Sequence, residues 1–245
     1  MNLREGKALQ PSASQQLLEN PMTRRILVAA ALVVGALQGV AHADEKFELV
    51  KVFLERNVMD QDAEVKFEAI GGKGGLTSLK VVAPDGRTVV DLKSPDSKLG
   101  IRAMSLESPE PKNDGRVQAD FPAGAYTFSG TGVGGERLEG KAMLSHTFPE
   151  PATLVRPKPE AKNVPTKGLQ IGWKSVKGLG SCVVVIEHEA SGRTIKANLA
   201  ADASSFPVPD GFLLPDTEYK VAIGTVAKDG NSSFIEATFT TAKKQ

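Results

Sequence analysis

Few residues in this sequence could act as a nucleophile, a general base or a metal ligand. Apart from His42 near the N-terminus, the imidazoles are His146, in the segment LSHTF, and His188, near the end of CVVVIEHE. These two fall in different halves of the chain, so their spacing predicts neither a catalytic triad nor a shared metal site. The glycine-rich segments GGKGG and GTGVGG lead into no predicted helix, and we interpret them as hairpin loops. The sequence therefore predicts no enzyme activity and no cofactor.

Carboxylates are concentrated in the segment MDQDAE, where Asp60, Asp62 and Glu64 alternate along the chain. Calcium takes about six to eight oxygen ligands, and three side chains supply too few unless other loops contribute. We interpret the segment as a solvated acidic turn and keep weak calcium binding as the alternative.

The single cysteine, Cys182, excludes an intramolecular disulfide. It alternates with Val184 and Ile186 in a run that predicts a strand, and no basic residue stands beside it to activate a thiolate. We therefore expect a buried and unreactive thiol, and stability that comes from packing.

A short apolar run near the N-terminus predicts export. The positively charged segment TRR at 23–25 precedes the apolar segment ILVAAALVVGAL at 26–37, and the small-x-small motif at 41–43 precedes Asp44. Basic residues, an apolar run and a cleavage motif in this order are typical of a secretory signal peptide. The run is shorter than the roughly 20 apolar residues that a transmembrane helix needs.

Cleavage after residue 43 would leave a periplasmic or extracellular protein with no membrane span. The start of translation is open between Met1 and Met22, because a signal peptide beginning at Met22 has the usual proportions. No cysteine follows the apolar run, so a lipid anchor at the new N-terminus is not predicted.

The charge balance argues against a nucleic-acid partner. The chain holds 30 basic and 29 acidic residues, and removal of residues 1–43 leaves 26 and 27. A nearly neutral chain without a basic cluster lacks the electrostatic surface that phosphate backbones require.

The second half of the chain alternates apolar and polar residues in short runs that turn residues separate. The spacing is typical of a β-sandwich, and no run has a sustained helical period. The predicted strands are GLQIGWKSV (168–176), CVVVIEHE (182–189), GRTIKANLA (192–200), SSFPVP (204–209), EYKVAIGTVA (218–227) and SFIEATFTT (233–241).

One motif in this half resembles a known family. The pattern is Leu213-x-Pro215-x-Thr217-x-Tyr219, with Trp173 upstream and the closing strand ATFTT downstream. It resembles a fibronectin type III domain covering about 153–242. The resemblance implies an immunoglobulin-like sandwich in which the Tyr219 ring lies inside and its hydroxyl bonds to nearby backbone. It also implies that Pro215 sets the turn, that Leu213 gives apolar cover, and that all five residues are structural.

Residues 44–150 predict a second β-sandwich, of uncertain family. The segment AEVKFEAI alternates, and VVAPDGRTVV predicts a hairpin that turns at residues 84–86. The segment FPAGAYTFSG resembles the strand entry of prealbumin-like sandwiches, and we expect Tyr126 to fill the core there.

Two polar segments rich in proline are predicted to lie outside the strands. The segment SLESPEPKNDGR at 105–116 predicts a disordered or binding loop, and residues 150–168 hold four prolines. Proline stiffens an extended chain, so we expect a semi-rigid linker there. The predicted division is a signal region at 1–43, one sandwich at 44–150 and the fibronectin-like domain at 151–245.

These features predict an exported, non-catalytic binding or scaffold protein that acts through loops or strand edges. A protein or a cell-envelope component is the expected partner. The loop AKDGNSS is the candidate binding loop, with Lys228, Asp229 and Asn231 as its polar residues. Residues 231–233 also match a glycosylation sequon, although we interpret residues 229–231 as a hairpin turn.

The alternative is an accessory module of a polysaccharide-active or cell-envelope system. Carbohydrate-binding faces need exposed aromatic side chains. Because Trp173, Tyr126 and Tyr219 are all expected in the core, we prefer the first interpretation.

Overall fold

The described residues form two β-sandwiches, built from strands in which apolar and polar residues alternate. The computed structural model describes residues 45–94, 96 and 98–244. The predicted signal peptide and its cleavage site lie outside these residues. Two hydrophobic cores are present, one built from residues 47–148 and the other from residues 152–239. The all-β fold class is confirmed.

The N-terminal sandwich places a five-stranded sheet, in the order β1-β8-β7-β4-β5, against the sheet β2-β3-β6. Tyr126 and Phe128 on β7 are fully buried between the sheets, and Phe67 on β3 contacts the Tyr126 ring at a centroid distance of 5.8 Å. Its strands are β1 Glu45–Lys46, β2 Leu49–Asn57, β3 Asp62–Ile70, β4 Leu76–Val82, β5 Thr88–Lys93, β6 Ala103–Glu107, β7 Gly124–Gly132 and β8 Arg137–Leu144.

The polar segment at 105–116 is not one continuous loop. Its first residues finish β6, and helix α1, Asp114–Asp120, begins near its end. Val117 on α1 is buried in the N-terminal core, and Phe121 just after α1 packs against Phe67 at 6.1 Å. The prediction of a disordered or binding loop is thus wrong for the two ends of this segment, and residues 108–113 are the loop between β6 and α1.

The C-terminal sandwich places the sheet β9-β11-β14 against the strand order β13-β12-β15-β16. This three-on-four arrangement of antiparallel strands is the immunoglobulin-like sandwich architecture. All six predicted strands of this half are confirmed within a few residues. The strands are β9 Thr153–Arg156, β10 Ala161–Val164, β11 Gln170–Lys174, β12 Ser181–His188, β13 Arg193–Ala200, β14 Ser205–Pro207, β15 Glu218–Val226 and β16 Ser232–Thr241.

The proline-rich segment 150–168 is part of the C-terminal sandwich, which corrects the prediction of a linker. β9 pairs with β11, and β10 pairs in parallel with β16. The prolines of this segment lie at 151, 157, 159 and 165, outside both strands, so none of them removes a donor from a strand pair.

One parallel strand pair joins the two sandwiches into a continuous sheet. The last strand, β16, runs beside β2 over residues 232–234 and 55–57. The joined sheet has the order β13-β12-β15-β16-β2-β3-β6, and the described residues form one compact unit. One face of this sheet covers the two cores, and the other face crosses the junction without interruption.

Candidate functional site

A buried asparagine fixes the junction between the sandwiches. The side-chain oxygen of Asn231 accepts a hydrogen bond from the backbone N–H of Leu54 at 2.8 Å. Its side-chain nitrogen donates to the carbonyl oxygens of Ser145 and Thr147, each at 3.0 Å. Asn231 is only 1% exposed, so these bonds are shielded from water. Buried hydrogen bonds of this kind specify one relative placement of the two sandwiches.

The turn that carries Asn231 also contacts the N-terminal sandwich directly. The Ser145 hydroxyl donates to the Asp229 carboxylate at 2.7 Å. Gly230 has a φ of +100°, which favours glycine, and a β-carbon at that position would lie 3.3 Å from Cβ of Phe53. The predicted hairpin turn at 229–231 is confirmed by the bond from the Ala227 N–H to the Asn231 carbonyl at 2.8 Å.

The chain that connects the sandwiches is held by polar side chains on three strands. Arg56 lies 4.5 Å from the Phe148 ring centroid, and its Nε donates to the Ser233 hydroxyl at 2.9 Å. The Ser233 hydroxyl in turn donates to the Pro149 carbonyl at 2.7 Å, and the Thr225 hydroxyl donates to the Glu150 carbonyl at 2.9 Å. The junction is therefore anchored by hydrogen bonds on both sides of the crossing.

The outer face of the joined sheet forms a groove at this junction, which we call the junction groove. It has a volume of about 370 Å³ and crosses from β13 to β3. Its apolar floor includes Ala222, which is 6% exposed, and Phe234. The Phe234 ring covers Gly224 on the neighbouring strand, where any β-carbon would clash with it at 2.5 Å.

Charged side chains surround this floor. The acidic lining residues outnumber the basic ones by seven to three. Lys220 lies 3.6 Å from Glu236 and 3.8 Å from Glu187, so these charges are partly balanced. The acidic members are Glu55, Asp60, Asp62, Glu64, Glu110, Glu187 and Glu236, and the basic members are Arg56, Lys196 and Lys220.

A lysine behind the groove holds three carboxylates. Lys66 Nζ lies 3.0 Å from Glu64, 3.1 Å from Glu55 and 3.2 Å from Glu107. Burial raises the pKa of Glu64 to about 6, although the hydrogen bond and the charge of Lys66 oppose the shift. Burial alone would lower the pKa of Lys66, but the charge of Glu55 and the bonds to Glu64 and Glu55 raise it overall.

The alternating carboxylates of the MDQDAE segment have separate surroundings. Asp60 accepts a hydrogen bond from the Asn57 side chain at 2.8 Å, while Glu64 faces Lys66. Within the described residues, no group of three or more His, Cys, Asp or Glu side chains has the geometry to hold a metal ion. Weak calcium binding by this segment stays a prediction.

The residues of the fibronectin-like pattern lie together around one corner of the C-terminal sandwich. Tyr219 is fully buried, and its hydroxyl accepts from the Leu214 N–H at 2.9 Å and donates to the Phe212 carbonyl at 3.4 Å. Leu213 is buried beside it, and the Thr217 hydroxyl donates to the carbonyl of the exposed Pro215 at 2.8 Å.

Two further aromatic residues of the sequence pattern are also buried. Trp173, on β11, is 4% exposed in the C-terminal core, and its indole nitrogen has no hydrogen-bond partner in the described structure. Tyr126 donates from its hydroxyl to the Pro122 carbonyl at 3.1 Å, and burial raises the pKa of its hydroxyl to about 12. These rings are enclosed and cannot stack on a ligand at the surface.

The candidate binding loop divides into an exposed part and a buried part. Lys228 and Asp229 are exposed, whereas Asn231 is turned into the junction. The structure thus places the amide of Asn231 in contacts within the chain, where neither a partner nor a glycan can reach it. The residue types at 229–231 predict a turn, but nothing in the sequence indicates that the strand β2 passes beside it.

The histidines and the cysteine occupy separate positions. His146 Nε2 lies 2.8 Å from the Phe121 carbonyl, and His188 Nδ1 lies 2.7 Å from the Ser191 hydroxyl. Cys182 is buried, as expected, and burial raises the pKa of its thiol. The three side chains belong to different contacts and form no common site.

The residues that line the junction groove were mostly missed by the sequence analysis. Only Asp60, Asp62 and Glu64 were singled out in the sequence. The other charged lining residues occupy ordinary polar positions of alternating strands, and they include Glu187, Lys196, Lys220 and Glu236. The signal that could have found them is that outward positions on β12, β15 and β16 include Val185 and Phe234, which are apolar where solvent-facing residues are usually polar.

No protein-family model and no curated protein sequence matches this chain. Among solved structures, the fibronectin(III)-like modules of Clostridium thermocellum CbhA align over 81% of this chain and 94% of theirs, with 8% identity and a TM-score of 0.35. A segment of two fibronectin type III domains from chicken tenascin aligns over 81% and 98%, with 13% identity and a TM-score of 0.31. The FN1–FN3 domains of chicken CNTN1 align over 82% and 65%, with 11% identity and a TM-score of 0.31.

The C-terminal sandwich is fibronectin type III-like in fold. Its own geometry carries this conclusion, through the three-on-four strand order and the buried Tyr219 whose hydroxyl bonds back to residues 212 and 214. Among the described residues, no helix has the length and apolar character to cross a membrane.

Proposed function

We propose that this is an exported, non-catalytic binding or scaffold protein whose partner docks on the junction groove. One observation carries the proposal: β16 and β2 pair across the junction, so that two sandwiches present a single continuous face. A recessed surface with an apolar floor and a polar rim is the usual form of a binding site.

The chemistry of the groove favours binding over catalysis. Glu64 has the raised pKa that a general acid needs, but its side chain is only 6% exposed and its oxygen lies 3.0 Å from Lys66 Nζ. The Glu64 carboxylate accepts a hydrogen bond from the Lys66 ammonium, so it already has a partner inside the protein. Glu187 and Glu236 are likewise turned towards Lys220. The charged side chains of the groove are therefore suited to binding a partner and not to proton transfer.

The buried aromatic residues disfavour the role of a carbohydrate-binding module. Stacking on a sugar ring requires an aromatic face in solvent, while Trp173, Tyr126 and Tyr219 are all enclosed in the two cores. We therefore propose a protein partner, which charged and apolar contacts together can recognise.

A comparison of three forms of the purified protein tests this function. The first is the unchanged chain, and the second is Asp62→Lys with Glu110→Lys, the groove variant. The described structure shows neither carboxylate in an ion pair, so the changes break no salt bridge seen there. The third is Asp91→Lys with Glu139→Lys, the control variant, which makes the same change of charge at exposed positions on the opposite sheet.

Each form is immobilised and exposed to an extract of the cell envelope, and the retained material is identified. The proposal expects one protein to be retained by the unchanged chain and by the control variant and to be lost from the groove variant. Retention of that protein by all three forms would place its docking surface elsewhere. Retention of polysaccharide without protein would contradict the proposed class of partner.

A further inference from the structure

The junction groove carries more charge asymmetry than the chain as a whole. Its lining has four more acidic than basic residues, although residues 44–245 have 27 acidic and 26 basic residues in total. Two of the three basic lining residues are already engaged inside the protein. Arg56 is bonded to Ser233 and covers Phe148, and Lys220 is paired with three carboxylates.

Several of the carboxylates remain open to a partner. Asp60, Asp62 and Glu110 form no ion pair within the described residues, and all three line the groove. Carboxylates in a recess with low-dielectric walls concentrate their field on the groove opening. The site therefore attracts a cation more strongly than the same charges would on an open surface.

The floor of the groove selects the kind of cation. Ala222, Val185 and Phe234 offer apolar surface between the carboxylates. A lysine or arginine side chain has an apolar stem and a charged end, and this combination matches the floor and the rim together. The volume of about 370 Å³ is near the lower end of ligand pockets, so it fits a short extended segment better than the face of a folded domain.

From this complementarity we infer that the junction groove binds an extended segment of a partner protein in which lysine or arginine residues alternate with small apolar residues. The inference rests on the proposed function and names the chemistry of the docking segment. The apolar residues would lie against Ala222 and Phe234, and the cationic ends would reach the carboxylates of Asp62 and Glu110.

The surroundings of Glu64 make the affinity of the groove for a basic segment depend on pH. Glu64 faces Lys66 on its own strand, Glu55 on β2 and Glu107 on β6. Because burial raises its carboxyl pKa to about 6, the groove loses one negative charge as the pH falls from 7 to 5. Binding of a basic segment is therefore expected to be weaker at pH 5 than at pH 7.

Fluorescence anisotropy tests the inference with two labelled peptides, one alternating lysine with valine and the other alternating glutamate with valine. The lysine peptide is expected to bind the unchanged protein and the control variant with equal affinity. Binding to the groove variant should be about tenfold weaker, which corresponds to about 1.4 kcal/mol. It should also weaken as salt is added, and the glutamate peptide should not bind.

Other results would overturn the inference. These are absence of lysine-peptide binding to the unchanged protein, or equal binding to the groove and control variants. A shift of the melting temperature by millimolar calcium that the groove variant lacks would assign the carboxylates to a metal ion instead. Sedimentation that shows dimers only with an intact groove would assign the groove to a second copy.

The two proposals fail in different ways. If a protein from the envelope extract depends on the groove while the lysine peptide does not bind, the proposed function stands and the basic segment is wrong. If the peptide binds in the groove while the captured protein is indifferent to the groove variant, the chemistry of the groove stands and the function assigned to it is wrong.

Discussion

The side-chain oxygen of Asn231 accepts a hydrogen bond from the backbone N–H of Leu54 at 2.8 Å, across 177 residues of sequence. Leu54 is fully buried in the N-terminal core, and Asn231 immediately precedes β16, the strand that closes the C-terminal sandwich. This contact places β16 beside β2 and so creates the face on which the junction groove lies.

Replacement of Asn231 by alanine should destabilise the protein by about 3 kcal/mol. The change removes the side-chain oxygen, which accepts one hydrogen bond, and the side-chain nitrogen, which donates to two carbonyls. The buried N–H of Leu54 and the carbonyls of Ser145 and Thr147 then lose these partners. Urea unfolding followed by circular dichroism measures the loss. The matched control is Asn198→Ala at an exposed position on β13, where a change below about 0.5 kcal/mol is expected. Equal effects of the two changes would show that the junction does not depend on Asn231.

The two buried tyrosines should differ in what their hydroxyl groups contribute. Tyr219→Phe removes bonds to two backbone groups, and Tyr126→Phe removes one bond, to the Pro122 carbonyl. We expect losses of about 2 and about 1 kcal/mol in the free energy of unfolding, measured in urea. A larger loss for Tyr126→Phe would contradict the corner geometry assigned to Tyr219.

Loss of the cation behind the groove should cost more than loss of the whole buried pair. Lys66→Met leaves Glu64 buried without its counter-ion, and a cost of about 3 kcal/mol at pH 7 is expected. The double variant Lys66→Met with Glu64→Gln should recover part of that loss. A double-mutant cycle of thermal unfolding measures the coupling, and additive effects would show that the two groups do not interact.

The raised pKa of Glu64 should also affect how the stability of the protein depends on pH. Its folded pKa of about 6 lies above its ordinary value of 4.5, so the folded state binds more protons between these values. The contribution of this group to stability therefore rises as the pH falls from about 7 towards 4.5, by on the order of 1 kcal/mol. The difference in melting temperature between the unchanged protein and Glu64→Gln should shrink over that range. A constant difference would refute the raised pKa.

Export predicts a defined N-terminus. If residues 1–43 form a cleaved signal peptide, N-terminal sequencing of the protein recovered from the periplasm or the medium should begin at Asp44. A matched control replaces Ala43 with arginine, which should block cleavage at this position. A mature chain that begins at Met1 or Met22 would show that the segment is not removed.

Much of the fold could be predicted because the C-terminal half obeys a period of two. The strands β11 to β16 were located from alternating residues and glycine-containing turns, and Leu169, Ile171 and Trp173 are buried as that alternation indicates. The linker prediction failed because proline content was taken as evidence against pairing over the whole segment, whereas the prolines flank the two short strands TLVR and AKNV and leave their N–H groups free to pair. Helix α1 was missed because its seven residues, DGRVQAD, place one apolar side chain in the core, Val117, and so have no repeating helical pattern.

Most of the candidate site could not be predicted from the sequence. The register between β16 and β2 joins positions 177 residues apart, and alternation states which face a residue occupies but not which strand lies beside it. Asn231 was therefore interpreted as part of an exposed turn. Asn231 is buried because β2 passes next to it, and the local sequence around Asn231 does not indicate which strand will be its neighbour.

Nuclear magnetic resonance with the lysine–valine peptide shows where the peptide lies on the protein. If the peptide occupies the junction groove, backbone amide shifts will change along the groove floor, at Val185, Ala222 and Phe234, and beside the open carboxylate of Asp62. These changes should be lost in the groove variant and kept in the control variant. Shift changes confined to the loop at 228–229 or to the β13 edge, with none in the groove, would contradict binding in the groove.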